Sequence, residues 1–67
     1  MKIEGWAIVR GNVFHDFIEK DVLEAKQQTP GQWLHYWLGQ MLLRTKGFNT
    51  KGIEVKRATL TIEDGDK

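Results

Sequence analysis

Residues 29–47 read TPGQWLHYWLGQMLLRTKG, and they predict one long amphipathic helix. Thr29 and Gln32 stand at capping-box spacing, and Pro30 takes the first helical position, where its missing N–H costs nothing. The helix is expected to run to about Lys46 and to stop at Gly47, a favoured C-terminal cap. Arg44 and Lys46 in the last turn suit the negative end of the helix dipole. At about 100° per residue, Trp33, Leu34, Trp37, Leu38, Met41 and Leu42 share one half of the wheel and make a core-facing stripe.

Working outward, residues 2–18 predict a β-hairpin. Its arms, KIEGWAIV and VFHDFI, are rich in β-branched and aromatic residues. Gly11-Asn12 suits a two-residue turn, because both residues tolerate positive φ. That turn pairs Arg10 with Val13, Ile8 with His15 and Trp6 with Phe17, the preferred register, whereas a three-residue loop would shift the pairing by one residue and exchange the faces of the second strand. One face then carries Trp6, Ile8, Val13, His15 and Phe17. The other carries Ile3, Gly5, Ala7, Val9, Phe14, Asp16 and Ile18. Residues 19–28 favour a short helix with a thin apolar stripe at Val22, Leu23 and Ala25. Gly47 to Gly52 read as a loop. Residues 53–62, IEVKRATLTI, read as a third strand whose alternation changes phase, and a β-bulge near Lys56-Arg57 would restore a single apolar face. Residues 63–67 are expected to fray.

The order is ββ(α)αβ, an α+β fold. A helix running back along the sheet sets the third strand antiparallel to the first and beside it. The expected sheet is three-stranded, antiparallel and ordered 2-1-3, with the long helix on one face. The expected core is Trp6, Ile8, Phe17, Trp33, Trp37, Leu38, Met41 and Leu60.

The chain has 67 residues, room for one small domain. So short a chain buries only about 60% of its unfolded surface and needs dense packing or a partner. It has no cysteine, so disulfides and thiolate metal sites are excluded. Three tryptophans, three phenylalanines and one tyrosine make aromatic packing the available staple. Ten basic and nine acidic residues leave a formal charge of +1, which gives no global attraction to nucleic acid or to an anionic membrane. No apolar run approaches the roughly 20 residues that span a bilayer, and the N-terminus does not read as a signal peptide. A cytoplasmic location is the default expectation.

The chain also lacks serine, so nucleophilic catalysis would fall to threonine, lysine or a carboxylate, none of which sits in a motif. His15 and Asp16 are neighbours on a strand and are expected on opposite faces, out of reach as a base and its orienting partner. His35 lies off the apolar stripe, and two histidines without close spacing make a poor metal site. No phosphate-binding glycine loop is present. No catalytic residue, metal or cofactor is expected.

Two surfaces read as binding sites. The back of the long helix carries Tyr36, Gly39, Gln40 and Leu43, and Gly39 removes bulk between Tyr36 and Leu43. The outer sheet face carries Val9 and Phe14 together with Ile3 and Ile18, unless the 19–28 segment folds over them. Either surface supports a homodimer or binding to another protein, and the leading reading is a small non-enzymatic protein-interaction module. Two alternatives stand beside it. Arg44, Lys46, Lys51, Lys56 and Arg57 could converge on nucleic-acid phosphates, or the same apolar surfaces could inhibit a host protein.

The opening residues Met1, Lys2, Ile3, Gly5, Trp6, Val9 and Val13 resemble the first hairpin of small accessory proteins from tailed phages and prophages. That pattern places glycine at position 12, where this chain has Asn12 and turns at Gly11-Asn12. The resemblance covers about a quarter of the chain. It implies a β-β-α-β fold and a non-enzymatic accessory role, and it carries over no functional residue.

Overall fold

In the computed structural model, which describes residues 1–63, Gly11 takes the positive φ of 57° that turns β1 (Lys2–Arg10) back into β2 (Val13–Glu19). Asn12 keeps negative φ, so the turn uses glycine at its first central position only. Arg10 pairs with Val13 and Val9 with Phe14, the register that a two-residue turn dictates. The ladder then shifts. Ile8 pairs with Asp16, Ala7 with Phe17 and Trp6 with Ile18, so His15 is an extra residue in β2. The expected pairs of Ile8 with His15 and Trp6 with Phe17 do not form. A β-bulge adds one residue to one strand and exchanges the faces of everything beyond it. Ile18 and Asp16 therefore join Trp6 and Ile8 on the helix side, and Phe17 moves to the outer side.

The third strand, β3 (Ile53–Thr61), pairs antiparallel with β1 from Lys2–Thr61 to Arg10–Ile53 without a shift. The bulge expected at Lys56-Arg57 is absent. Ile53 and Val55 face the helices, while Ala58 and Leu60 face outward beside Gly5 and Ile3. The phase change in the sequence records a strand with apolar groups on both faces. The sheet order is β2-β1-β3, as the topology argument requires.

Two helices cover one face, α1 (Lys20–Ala25) and α2 (Pro30–Arg44). The capping box closes at the head of α2. The Gln32 N–H donates to Thr29 Oγ1 at 3.1 Å, and the Thr29 N–H donates to Gln32 Oε1 at 2.9 Å. The helix ends two residues earlier than the sequence suggests, at Arg44, with Thr45 extended and Gly47 turning the chain at φ 79°. The central cluster is Ile8, Leu23 and Trp33, with Trp6, Ile18, Leu34, Trp37, Ile53 and Val55 packed against it. Leu23 thus brings α1 to the same side as α2, and the 19–28 segment leaves the outer face uncovered.

Two members of the expected core lie elsewhere. Phe17 sits on the outer face for the reason given, and Leu60 is exposed there. Leu38 and Met41 are only half-buried, and Leu42 at the far end of the helix stripe is exposed. The N-terminal half of α2 supplies the packing.

Candidate interaction surface

The outer sheet face is built from the odd residues of β1 and their partners. Ile3 pairs with Leu60, Gly5 with Ala58 and Ala7 with Lys56 on one side, and Ala7 with Phe17 and Val9 with Phe14 on the other. The Met1 N donates to the Ile62 carbonyl at 2.9 Å and the Ile62 N–H to the Met1 carbonyl at 2.8 Å, which extends the ladder by one pair. Met1, Ile3, Val9, Phe14, Phe17, Leu60 and Ile62 therefore share one side of the sheet.

Local structure lets Phe17 lie close to the backbone on this side. A Cβ at Gly5 would stand 2.6 Å from Phe17 Cζ and would collide with the Ile18 carbonyl oxygen, so glycine admits the phenyl ring against the backbone. Beside that ring Ala7 is buried even though no helix covers it. The rest of the face is open. Met1 is 67% exposed, Phe14 62%, Leu60 43% and Ile62 42%. Charged groups stand only at its edges, Glu19 on β2 and Lys56 and Glu54 on β3.

On the helix side the bulge creates a second feature. A bulge turns two consecutive side chains to one side, so His15 and Asp16 both face α2, against expectation. Asp16 Oδ2 accepts from Trp37 Nε1 at 3.1 Å and Oδ1 from the Phe17 N–H at 2.7 Å. The carboxylate is thus engaged with the helix and its own strand, and no hydrogen bond joins it to His15. The His15 ring instead meets Trp37 edge-on at 5.6 Å and Phe48 at 6.4 Å. Its Nε2 is buried without a hydrogen-bond partner. Arg10 lies 5.9 Å over Phe48 and donates to the Asn49 carbonyl. Together these contacts fasten the 45–52 loop to the end of the sheet. A groove of about 270 Å³ runs beside them, lined by Asp16, Trp33, Tyr36, Trp37, Gln40, Met41 and Arg44. A second depression of about 340 Å³ is lined by charges of both signs, among them Lys2, Glu4, Glu19 and Lys20.

The remaining expected site residues fall as follows. On the back of α2, Tyr36 is 60% and Leu43 81% exposed, Gln40 is half-buried, and nothing lies within 4 Å of a Cβ at Gly39. Val9 is half-buried and Phe14 exposed on the sheet. Of the five basic residues, Lys56 and Arg57 lie on opposite faces of the sheet. Lys56 projects to the outer face opposite Ala7, and Arg57 to the helix face opposite Trp6. Arg57 pairs with Glu4 at 3.4 Å and lies 5.9 Å over the Trp6 ring. Arg44 ends α2, while Lys46 and Lys51 are on the following loop. An unbroken β3 separates Lys56 from Arg57, because neighbours on a regular strand point apart.

The sequence argument missed Met1, Phe17, Leu60 and Ile62 as parts of the outer face. The available signal was the β3 phase change, read without a bulge. Among the described residues no cluster of acids and histidines could hold a metal ion, and no helix is long and apolar enough to cross a membrane. Compared with known proteins, the chain matches no protein-family model, no curated protein and no solved structure.

Proposed function

We propose that this chain is a non-enzymatic protein-interaction module whose working surface is the outer sheet face. One observation carries the reading. Among the described residues the buried apolar side chains are Ala7, Ile8, Leu23 and Trp33, whereas nine large hydrophobic residues are exposed. Covering such a residue fully is worth about 1.5–3 kcal/mol. A domain with so small a core forgoes that energy as an isolated chain, and a protein partner recovers it. Four of the nine, Met1, Phe14, Leu60 and Ile62, share the outer face with half-buried Ile3, Val9 and Phe17. Contiguous apolar surface of this kind marks interaction sites. The accessory role implied by the hairpin's resemblance points the same way.

The nucleic-acid reading has less support, since Lys56 and Arg57 lie on opposite faces and Arg57 is already paired. Side-chain footprinting tests the interaction reading. Phe14, Leu60 and Ile62 are labelled in dilute purified protein and are expected to be protected at high concentration or in the native extract. Full labelling under all three conditions refutes it.

A further inference from the structure

We infer that the free edge of β3 pairs with the β3 edge of a second copy of this chain, antiparallel about a two-fold axis at Leu60, with Arg57 of each copy opposite Glu63 of the other. The edge is a different surface from the outer sheet face, and the occupant of one does not decide the occupant of the other.

The backbone presents this edge for pairing. Met1 and Ile62 exchange hydrogen bonds in both directions, so Ile62 and every second residue before it turn their N–H and C=O toward β1. Arg57, Thr59 and Thr61 therefore turn theirs outward, and among the described residues nothing bonds to those outward groups. An open edge is a template for another strand, and chains that stay apart blunt it with a bulge, a proline or a cover. The opposite edge, β2, is blunted in this way. It carries the bulge at His15, and its Phe17 N–H is taken by Asp16 Oδ1 at 2.7 Å. In contrast, β3 has no proline and no register shift, and from Arg57 to Glu63 every residue except Ala58 is exposed. No helix covers that half of the strand.

Symmetry and charge then select one register. Outward-facing residues must meet outward-facing residues, and a two-fold axis sets one residue opposite itself. An axis at Lys56 or Arg57 opposes like charges, which destabilises a strand pair. An axis at Ala58 or Thr59 sets Lys56 against Leu60 or Ile62. An axis at Val55 runs the other strand past Ile53, whose outward N–H is already held by the Thr50 carbonyl at 3.4 Å. An axis at Thr61 separates Arg57 from Glu63. The axis at Leu60 avoids these faults. Leu60 meets Leu60, Ala58 meets Ile62, Thr59 meets Thr61 and Arg57 meets Glu63, and the symmetry makes each unlike pair twice. Lys56 and Glu54 fall outside the 57–63 overlap. Leu60 and Ile62, exposed in one copy, gain apolar neighbours across the strands. Arg57 keeps Glu4 of its own chain, 3.4 Å away, and gains Glu63 of the other copy. A contact one strand wide belongs to the weak, transient class of association.

The chain has no cysteine, so single cysteines in the full chain read the pairing directly. Opposed residues of a non-hydrogen-bonded antiparallel pair stand about 4.5 Å apart at Cα, within disulfide reach. Under mild oxidation at high concentration, Leu60→Cys is expected to cross-link to itself, and Ala58→Cys to cross-link with Ile62→Cys in a mixture. Tyr36→Cys and Phe14→Cys, on the helix back and on the far strand, should cross-link far more slowly. Sedimentation velocity at low salt, from nanomolar to several hundred micromolar, should show a wild-type dimer. Arg57→Glu and Glu63→Arg each set like charges together twice and should weaken it at least about tenfold. Their equimolar mixture makes two opposite-charge pairs in the mixed dimer and should recover wild-type association. Hydrogen exchange of the wild type should slow at the Thr59 and Thr61 amides as concentration rises, and it decides alone if a variant does not fold. A wild type that stays monomeric overturns the inference, as does a mixture no stronger than its components. Cross-linking at Tyr36→Cys or Phe14→Cys in preference to Leu60→Cys also overturns it. Self-association that protects Phe14 from footprinting while Thr59 and Thr61 exchange as in dilute protein overturns it too, and leaves the interaction reading in place.

Discussion

Gly5 and Asp16 are the positions where single residues govern the sheet. Gly5 gives Phe17 room on the outer face, and the Ile18 carbonyl forbids any Cβ there. Gly5→Ala is therefore expected to cost at least about 2 kcal/mol through overpacking, read as a fall in urea midpoint at unchanged slope. A variant that unfolds like wild type would show that the strands can part at no cost. Asp16 is legible in the sequence only as a polar residue in an apolar strand. Its role emerges from the bulge, which aims the carboxylate at Trp37 Nε1. Asp16→Ala should cost about 1.5–3 kcal/mol, the range for a hydrogen bond to a charged group, and should shift the tryptophan emission. Asp16→Asn retains an acceptor and should cost less.

At the scale of elements, the head of α2 was readable because a capping box is a local code. Thr29→Ala should lower stability by about 1 kcal/mol, and Thr29→Ser should restore most of it. The end of α1 was not readable, since no glycine marks it. Gln27 takes a φ of 56°, with its N–H donating to the Glu24 carbonyl and the Gln28 N–H to the Leu23 carbonyl. This is the left-handed helix termination that glycine usually provides. Gln27→Gly should raise stability by about 1 kcal/mol, because a side-chain-bearing residue pays 1–2 kcal/mol for that conformation. Thermal melting checks it, and an unchanged or lower melting temperature would argue against the assigned termination. Gly39 is the opposite case. Open space surrounds it, so Gly39→Leu should stabilise the helix by up to about 1 kcal/mol and leave a sheet-mediated dimer intact.

The whole molecule is elongated, 44 × 28 × 19 Å along its principal axes, and its small core leaves much apolar surface exposed. Its radius of gyration is 13.5 Å, where a 67-residue domain is expected near 11 Å. Its stability should then depend on protein concentration, because anything that binds the folded form and not the unfolded chain adds to its stability. The melting temperature is expected to rise between about 1 and 100 μM. Leu60→Lys should abolish that rise and leave the dilute melting temperature nearly unchanged, since the exposed side chain contributes little to the monomer. A wild-type melting temperature independent of concentration would contradict self-association. Trp33, the one buried tryptophan, is the larger risk to folding, and Trp33→Ala should cost about 3–5 kcal/mol at any concentration.

Local chemistry determined much of this protein from its sequence. The Gly11-Asn12 turn set the first two pairs of the hairpin, the Thr29–Gln32 box set the start of α2, and short connections with one long helix set the order β2-β1-β3. Each of these rests on contacts between residues close in the chain or on topology with few alternatives. The sides of the sheet were decided by tertiary structure. The extra residue at His15 exchanged Phe17 for Ile18, and Asp16 turned from the outer face to Trp37. Periodicity cannot reveal that exchange, because a bulge is one residue with no composition of its own, stabilised by partners that lie 21 positions away in the chain. The same bulge put Phe17 over Gly5 and left the outer face apolar and open.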